Sequence, residues 1–170
     1  KPGQIVADVG AGSGYYTVRL AQRVGATGKV YATDIQPEML TLVRERVARE
    51  RLTQVEVVQA TETDPRLPQN QLDLILMVDV YHELARPQEV LRQLRTALKP
   101  DGRLVLIEFR KESAWVPIRE EHKMSVKEAR MATSASSVPR PRSIPASSAP
   151  CTRASNQTSM LRDTNCTLTV

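Results

Sequence analysis

Cysteine is scarce in this 170-residue chain: the only two, Cys151 and Cys166, fall near its end. A body without cysteine holds neither a Cys-x-x-Cys metal site nor a disulfide framework. Long apolar runs are missing too. The longest, Leu74 to Val78, is far short of the roughly 18 residues a membrane-spanning helix needs, so no membrane partner is expected. Aromatic residues make up only 4%, and neither an aromatic nor a Gly occurs beyond Trp115. The chain opens Lys1-Pro2-Gly3 with no Met and no apolar leader, so it reads as an excised piece without a secretion cue, and a cytoplasmic location is the default expectation.

What is present is close to globular averages, with 41% hydrophobic and 25% charged residues, and the length suggests one domain. The net charge of +5 is unevenly spread. Residues 131–170 hold Arg140, Arg142, Arg153 and Arg162 against Asp163 alone, while the rest of the chain is nearly balanced. These arginines stand among Ser and Pro with no aromatic for a base to stack on, so nucleic acid is not an expected partner.

The same 40 residues contain 14 Ser+Thr and four Pro, a composition that cannot bury enough surface to offset chain entropy. They read as a disordered, low-complexity tail. Ser125-Val126-Lys127-Glu128 has the capping-box pattern that announces a helix. From Met131, however, MATSASSVPRPRS fits no amphipathic period. Two readings of the tail stand side by side: a native flexible linker, or the product of a shifted reading frame. The division is therefore a folded unit over residues 1–130 and a tail over 131–170.

Within residues 1–130, short apolar runs alternate with helical patterns. Gln4 to Val9, Lys29 to Thr33, Val55 to Gln59, Leu72 to Val78 and Arg103 to Phe109 have the length and composition of strands, mostly too continuously apolar to leave one face wet. Tyr15 to Val24, Pro37 to Glu50 and Pro87 to Leu98 space apolar residues as helices do, with Pro37 and Pro87 suited to a first helical turn. Lys99-Pro100-Asp101-Gly102 reads as a helix stop and a turn. Strand and helix in alternation predict an α/β fold: a doubly wound, mostly parallel sheet.

The first strand runs directly into Asp8-Val9-Gly10-Ala11-Gly12-Ser13-Gly14. Glycines there let the backbone turn sharply and approach a ligand, and free N–H groups at a helix start favour a negative group. The spacing is GxGxG with Tyr15 in place of the third Gly of a dinucleotide loop, which weakens the pyrophosphate reading. Asp8 is better suited to a ligand ammonium than to a phosphate. Asp34 ends the second strand, where a carboxylate can accept both hydroxyls of a ribose; capping the next helix is its alternative role. Asp79-Val80-Tyr81-His82-Glu83 leaves the fourth strand at the end where open parallel sheets bind ligands.

Together VADVGAGSGYYTVRLA, VYATDIQPEML, LDLILMVDVYHEL and LKPDGRLVLIEF resemble, in order and spacing, the successive motifs of class I S-adenosylmethionine-dependent methyltransferases, in the branch acting on small molecules. The resemblance covers residues 1–130 and implies a Rossmann-like fold with S-adenosylmethionine as cofactor and a small-molecule acceptor. It implies that Asp8, Gly10, Ala11, Gly12 and Gly14 hold the methionine part, Asp34 the ribose and Ile35 the adenine face. Thr61 or Glu62 would touch the adenine amine, in place of the acidic residue many relatives carry. Asp79 would lie near the sulfonium and methyl group of the cofactor, and Asp79, Tyr81 and His82 are the candidate catalytic residues, Tyr81 and His82 lining the acceptor pocket; a surface or helix-capping role is the alternative for His82, and His122 with Lys123 would lie on the acceptor side. No metal is expected, since Asp79 and His82 alone are a weak ligand set. The alternative reading is a non-catalytic or degenerate cofactor-binding fragment, and a nicotinamide-linked oxidoreductase stands third. The family sheet has seven strands and only five are found here, so the fold is expected to be truncated, with Arg103 to Phe109 left as an uncovered, aggregation-prone edge.

Overall fold

The computed structural model describes residues 1–113, 117–129 and 165–169. Along the chain run β1 (Ile5–Val9), α1 (Tyr15–Val24), β2 (Lys29–Asp34), α2 (Pro37–Arg49), β3 (Val55–Gln59), β4 (Leu72–Val78), α3 (Pro87–Ala97), β5 (Leu98–Arg110), β6 (Lys123–Met124) and β7 (Asn165–Thr169). The strands form one sheet in the order β3-β2-β1-β4-β5-β6, parallel throughout, and β7 joins β5 antiparallel.

Successive side chains of a strand point to opposite faces, and both faces of this sheet are covered. Val6 and Val30 pack with Ala21 and Val24 of α1, and Ala32 packs with Val43 of α2. On the other face Ala7, Val9, Tyr31, Ile75, Met77, Leu104 and Leu106 cluster with Val90, Leu91, Leu94 and Ala97 of α3. This explains why β1, β2 and β4 read as apolar runs rather than alternating ones. Pro37 and Pro87 each open their helix, as expected.

Two expectations are corrected here. Lys99-Pro100-Asp101-Gly102 is not a turn between helix and strand but the first part of β5. The register jumps from Leu72↔Leu98 to Leu74↔Arg103, so the extra residues of β5 bulge outward. Gly102 is needed there, because a Cβ would come within 2.5 Å of the Leu72 carbonyl oxygen.

The second correction concerns strand count and edge. Five strands are not the whole sheet, and β5 is not left open: β6 pairs at Phe109 and Arg110, and β7 runs alongside Val105 to Phe109. Ladder hydrogen bonds come from the backbone, so a Thr-rich segment in an otherwise polar tail can cover an edge. The rest of the predicted tail lies outside the described residues. Ending the chain at Thr164 is expected to cost about 1 kcal/mol per ladder hydrogen bond lost and to make the protein associate further as its concentration rises. Thermal melts and light scattering check this; an unchanged melt would show that β7 contributes nothing.

The capping box holds. Ser125 Oγ accepts from the Glu128 amide at 3.1 Å, and Glu128 Oε2 accepts from the Ser125 amide at 2.8 Å. These bonds hold the Glu128 carboxyl below its ordinary value.

Candidate active site at the carboxyl edge of the sheet

Because β1 to β5 are parallel, their carboxyl ends share one edge. The chain order reverses between β1 and β4, which opens a crevice there. The loop from Gly10 to Gly14 lies on one side of it and the segment from Asp79 to Glu83 on the other.

The Gly loop is built by left-handed backbone at Gly10, Gly12 and Gly14, with φ of 72°, 51° and 81°. A Cβ at Gly10 would lie 2.4 Å from Val80 Cγ2, so Gly there also lets the two sides of the crevice meet. At Gly12 a Cβ would meet nothing within 4 Å, so the space beside that residue is open. Four amides of the loop are already engaged: Gly10 and Ala11 donate to the Thr33 carbonyl, Gly14 to the Ala11 carbonyl, and Gly12 to Asp34 Oδ2 at 2.9 Å. A loop with its amides so committed is a poor phosphate cradle, which agrees with the missing third Gly.

Asp34 links the ends of β1 and β2. Its Oδ2 accepts from Gly12 and its Oδ1 accepts from the Gln36 amide at 2.9 Å, while Gln36 and not Asp34 is the N-cap of α2. A carboxylate has about four acceptor positions, so the two backbone bonds orient it and leave capacity for two hydroxyls. Ile35 beside it is 52% exposed, a large apolar side chain open to a ligand. The Ala60 amide donates to the Asp34 carbonyl, which brings the loop after β3 alongside. There Thr61 and Glu62 are both exposed, and the Thr61 hydroxyl is engaged in a turn with Asp64.

Asp8 is 2% exposed and accepts a 2.6 Å hydrogen bond from the Thr17 hydroxyl. Burial pushes its carboxyl up to about 6, against the opposing effect of Thr17 and with a small added push from Asp34. A buried acid poised in this way favours the arrival of a compensating cation.

Across the crevice, Asp79 leaves β4 with φ of 58°, a left-handed conformation that Asp tolerates better than most residues. It is exposed, and burial still raises its carboxyl somewhat, offset first by His82. Its 3.8 Å distance to His82 Nδ1 is too long for a hydrogen bond. Tyr81, expected to line the acceptor pocket, is instead buried in the apolar cluster of α3, and its hydroxyl is raised by burial and by Glu108. His82 turns toward Glu108 and His122: Nδ1 is 2.7 Å from Glu108 Oε2, and Nε2 is 3.0 Å from His122 Nδ1.

Glu108 was not singled out from the sequence. It lies in RLVLIEF in register with inward-facing Leu104 and Leu106, so an acid on the buried face of an apolar strand was the available signal. It is 1% exposed, and its Oε1 also accepts from the Val80 and Tyr81 amides at 3.1 and 2.7 Å. His122, from the segment before β6, is thereby brought to the crevice, while the neighbouring Lys123 pairs with Glu120 at 2.6 Å. Among the described residues no helix is long and apolar enough to cross a membrane.

A parallel sheet of this strand order, with a Gly loop after β1, an acid ending β2 and a crevice at the point of reversal, defines a Rossmann-like nucleotide-cofactor domain. The "Methyltransferase domain" family matches residues 7–106, and the chain belongs to that family, within the class I S-adenosylmethionine-dependent type that the motifs resemble. A solved S-adenosylmethionine-dependent methyltransferase from Aquifex aeolicus superposes with a TM-score of 0.76 at 35% identity, covering 84% of this chain and 76% of that one. Ubiquinone/menaquinone biosynthesis C-methyltransferase UbiE of Laribacter hongkongensis is 31% identical over 119 residues, 70% of this chain and 48% of that protein. UbiE of Paraburkholderia phymatum is 33% identical over 127 residues, 72% and 49% respectively. The chain thus spans about half the length of these curated relatives.

Proposed function

We propose that this chain binds S-adenosylmethionine in the crevice and directs its methyl group to a small-molecule acceptor, a reduced quinone ring carbon being the favoured one. The observation that carries the reading is the Asp34 latch, which joins the Gly loop to the end of β2 and leaves acceptor positions for a ribose. The fit of the cofactor is otherwise one of matched chemistry. Asp8 offers a buried anion to the ammonium, open space lies beside Gly12, and Ile35 offers an apolar face to adenine, with Glu62 for its polar edge. The quinone acceptor is supported by the likeness to UbiE proteins named as C-methyltransferases.

When bound, S-adenosylmethionine supplies a sulfonium methyl that is already electrophilic. What the protein adds is alignment of donor and acceptor, together with a proton acceptor if the substrate loses a proton in the step. Asp79, exposed at the end of β4, lies where it can face the reacting centre. Calorimetric titration of the full chain with S-adenosylhomocysteine tests the binding. Methyl transfer is then assayed by mass spectrometry with 1,4-benzohydroquinone and 1,4-naphthohydroquinone. No binding by a folded sample would refute the cofactor reading. Binding without transfer to any small molecule would favour the cofactor-binding fragment, which the partial span of the relatives keeps in view.

A further inference from the structure

Both histidines of the protein, 40 residues apart in sequence, meet at the mouth of the crevice. They are the outer members of a chain of hydrogen bonds that begins deep in the sheet. Three groups converge on Glu108: the Val80 and Tyr81 amides donate to Oε1, and His82 Nδ1 lies 2.7 Å from Oε2. A carboxylate only accepts, so an ionised Glu108 sets the His82 proton on Nδ1. A neutral imidazole has one N–H and one lone pair, so His82 Nε2 is an acceptor. At 3.0 Å it takes the proton of His122 Nδ1. His122 Nε2 is then left with a bare lone pair.

Side-chain exposure rises along the series, from 1% at Glu108 to 8% at His82 and 43% at His122. The chain therefore leads from the core to the open crevice. Glu83 Oε1, at 3.9 Å from His82 Nε2 and 4.0 Å from His122 Nδ1, is too far to divert either proton. Asp79 is near enough for both histidines to act on its carboxyl.

We infer that His122 Nε2 is the proton acceptor for the transferred-to substrate, and that Glu108 and His82 are positioning residues that hold it in the rarer imidazole tautomer. This rests on the methyl-transfer reading. As the acceptor atom forms its bond to the methyl carbon, the sulfur–carbon bond breaks and its electron pair stays on sulfur. The proton the acceptor loses is taken by the His122 Nε2 lone pair and later passes to water.

The order of donors makes a sharp test. In Glu108→Gln the amide oxygen can keep the Val80 and Tyr81 bonds while its NH2 donates to His82 Nδ1. His82 must then carry its proton on Nε2 and donate to His122 Nδ1, which moves the His122 proton to Nε2. Long-range proton–nitrogen NMR of the labelled full chain, with His82→Asn and His122→Gln to assign the two rings, is expected to find Nδ1–H on His122 in the wild type and Nε2–H in Glu108→Gln. Should Glu108→Gln fail to fold, His82→Asn is expected to release His122 to Nε2–H by itself. Nε2–H on His122 in the wild type would overturn the inference, as would unchanged tautomers in a folded Glu108→Gln. With 1,4-naphthohydroquinone as acceptor, His122→Gln is expected to lower kcat about 100-fold at unchanged KM and unchanged S-adenosylhomocysteine affinity; an unchanged kcat would overturn the base assignment. The tautomer measurement needs no ligand, so it is distinguishable from a failure of the cofactor reading.

Discussion

Asp34→Ala is expected to weaken S-adenosylhomocysteine binding about 1000-fold while leaving a folded protein. Two hydroxyl hydrogen bonds to a charged acceptor are worth about 1.5–3 kcal/mol each, and each 1.4 kcal/mol is a factor of ten. The substitution also strips the Gly12 and Gln36 amides of their acceptor and releases the Gly loop from the end of β2. Isothermal calorimetry reads the affinity, and a thermal melt separates lost binding from lost folding. A variant that folds and binds within threefold of the wild type would remove the ribose role of Asp34 and with it the main support for the proposed function.

The second large effect is a trade between stability and binding at Asp8. Its folded-state value of about 6 lies above the ordinary 3.8, because burial disfavours the charged form. Between those values the folded protein holds a proton that the unfolded chain lacks. Stability therefore falls as pH rises from about 4 to 6, and the penalty of the buried charge, about 3 kcal/mol by linkage, is fully present above pH 6. Asp8→Asn is expected to melt at a higher temperature than the wild type at pH 7.5, with the difference gone by pH 4. The same variant is expected to bind S-adenosylhomocysteine about 100-fold more weakly, since it loses the partner of a buried ammonium, an interaction whose loss costs about 2–5 kcal/mol. In the wild type, affinity should decline below about pH 6 as Asp8 takes up its proton. Melts and titrations across pH 4 to 8 check all three. A destabilised Asp8→Asn at pH 7.5 would show that the Thr17 bond outweighs the cost of the buried charge.

Both effects concern residues that could be named without the structure, while the hydrogen-bonded connection of Glu108, His82 and His122 could not. Gly10, Gly12, Gly14, Asp8 and Asp34 stand within a few residues of strand ends, and a strand–loop–helix pattern read from local apolar spacing puts such residues at the ligand edge. The local sequence also carried the capping box at Ser125 and Glu128, whose two bonds span only three residues. His82 was visible as a candidate because it follows β4 closely. Its partner Glu108 is 26 residues away and His122 40, and no local pattern joins them.

The sequence by itself determined the parallel doubly wound sheet, the Gly loop and the acid at the end of β2, because periodicity, proline position and glycine conformation are short-range properties of the chain. Tertiary structure alone decided three things. It buried Tyr81 in the core, since the segment after β4 turns its ring against the α3 face. It closed the edge of β5 with β7, because a backbone ladder between residues about 60 apart depends on pairing and not on the composition of the tail. It also brought Glu108, His82 and His122 into one line, because neighbouring strands place side chains together that the sequence keeps far apart.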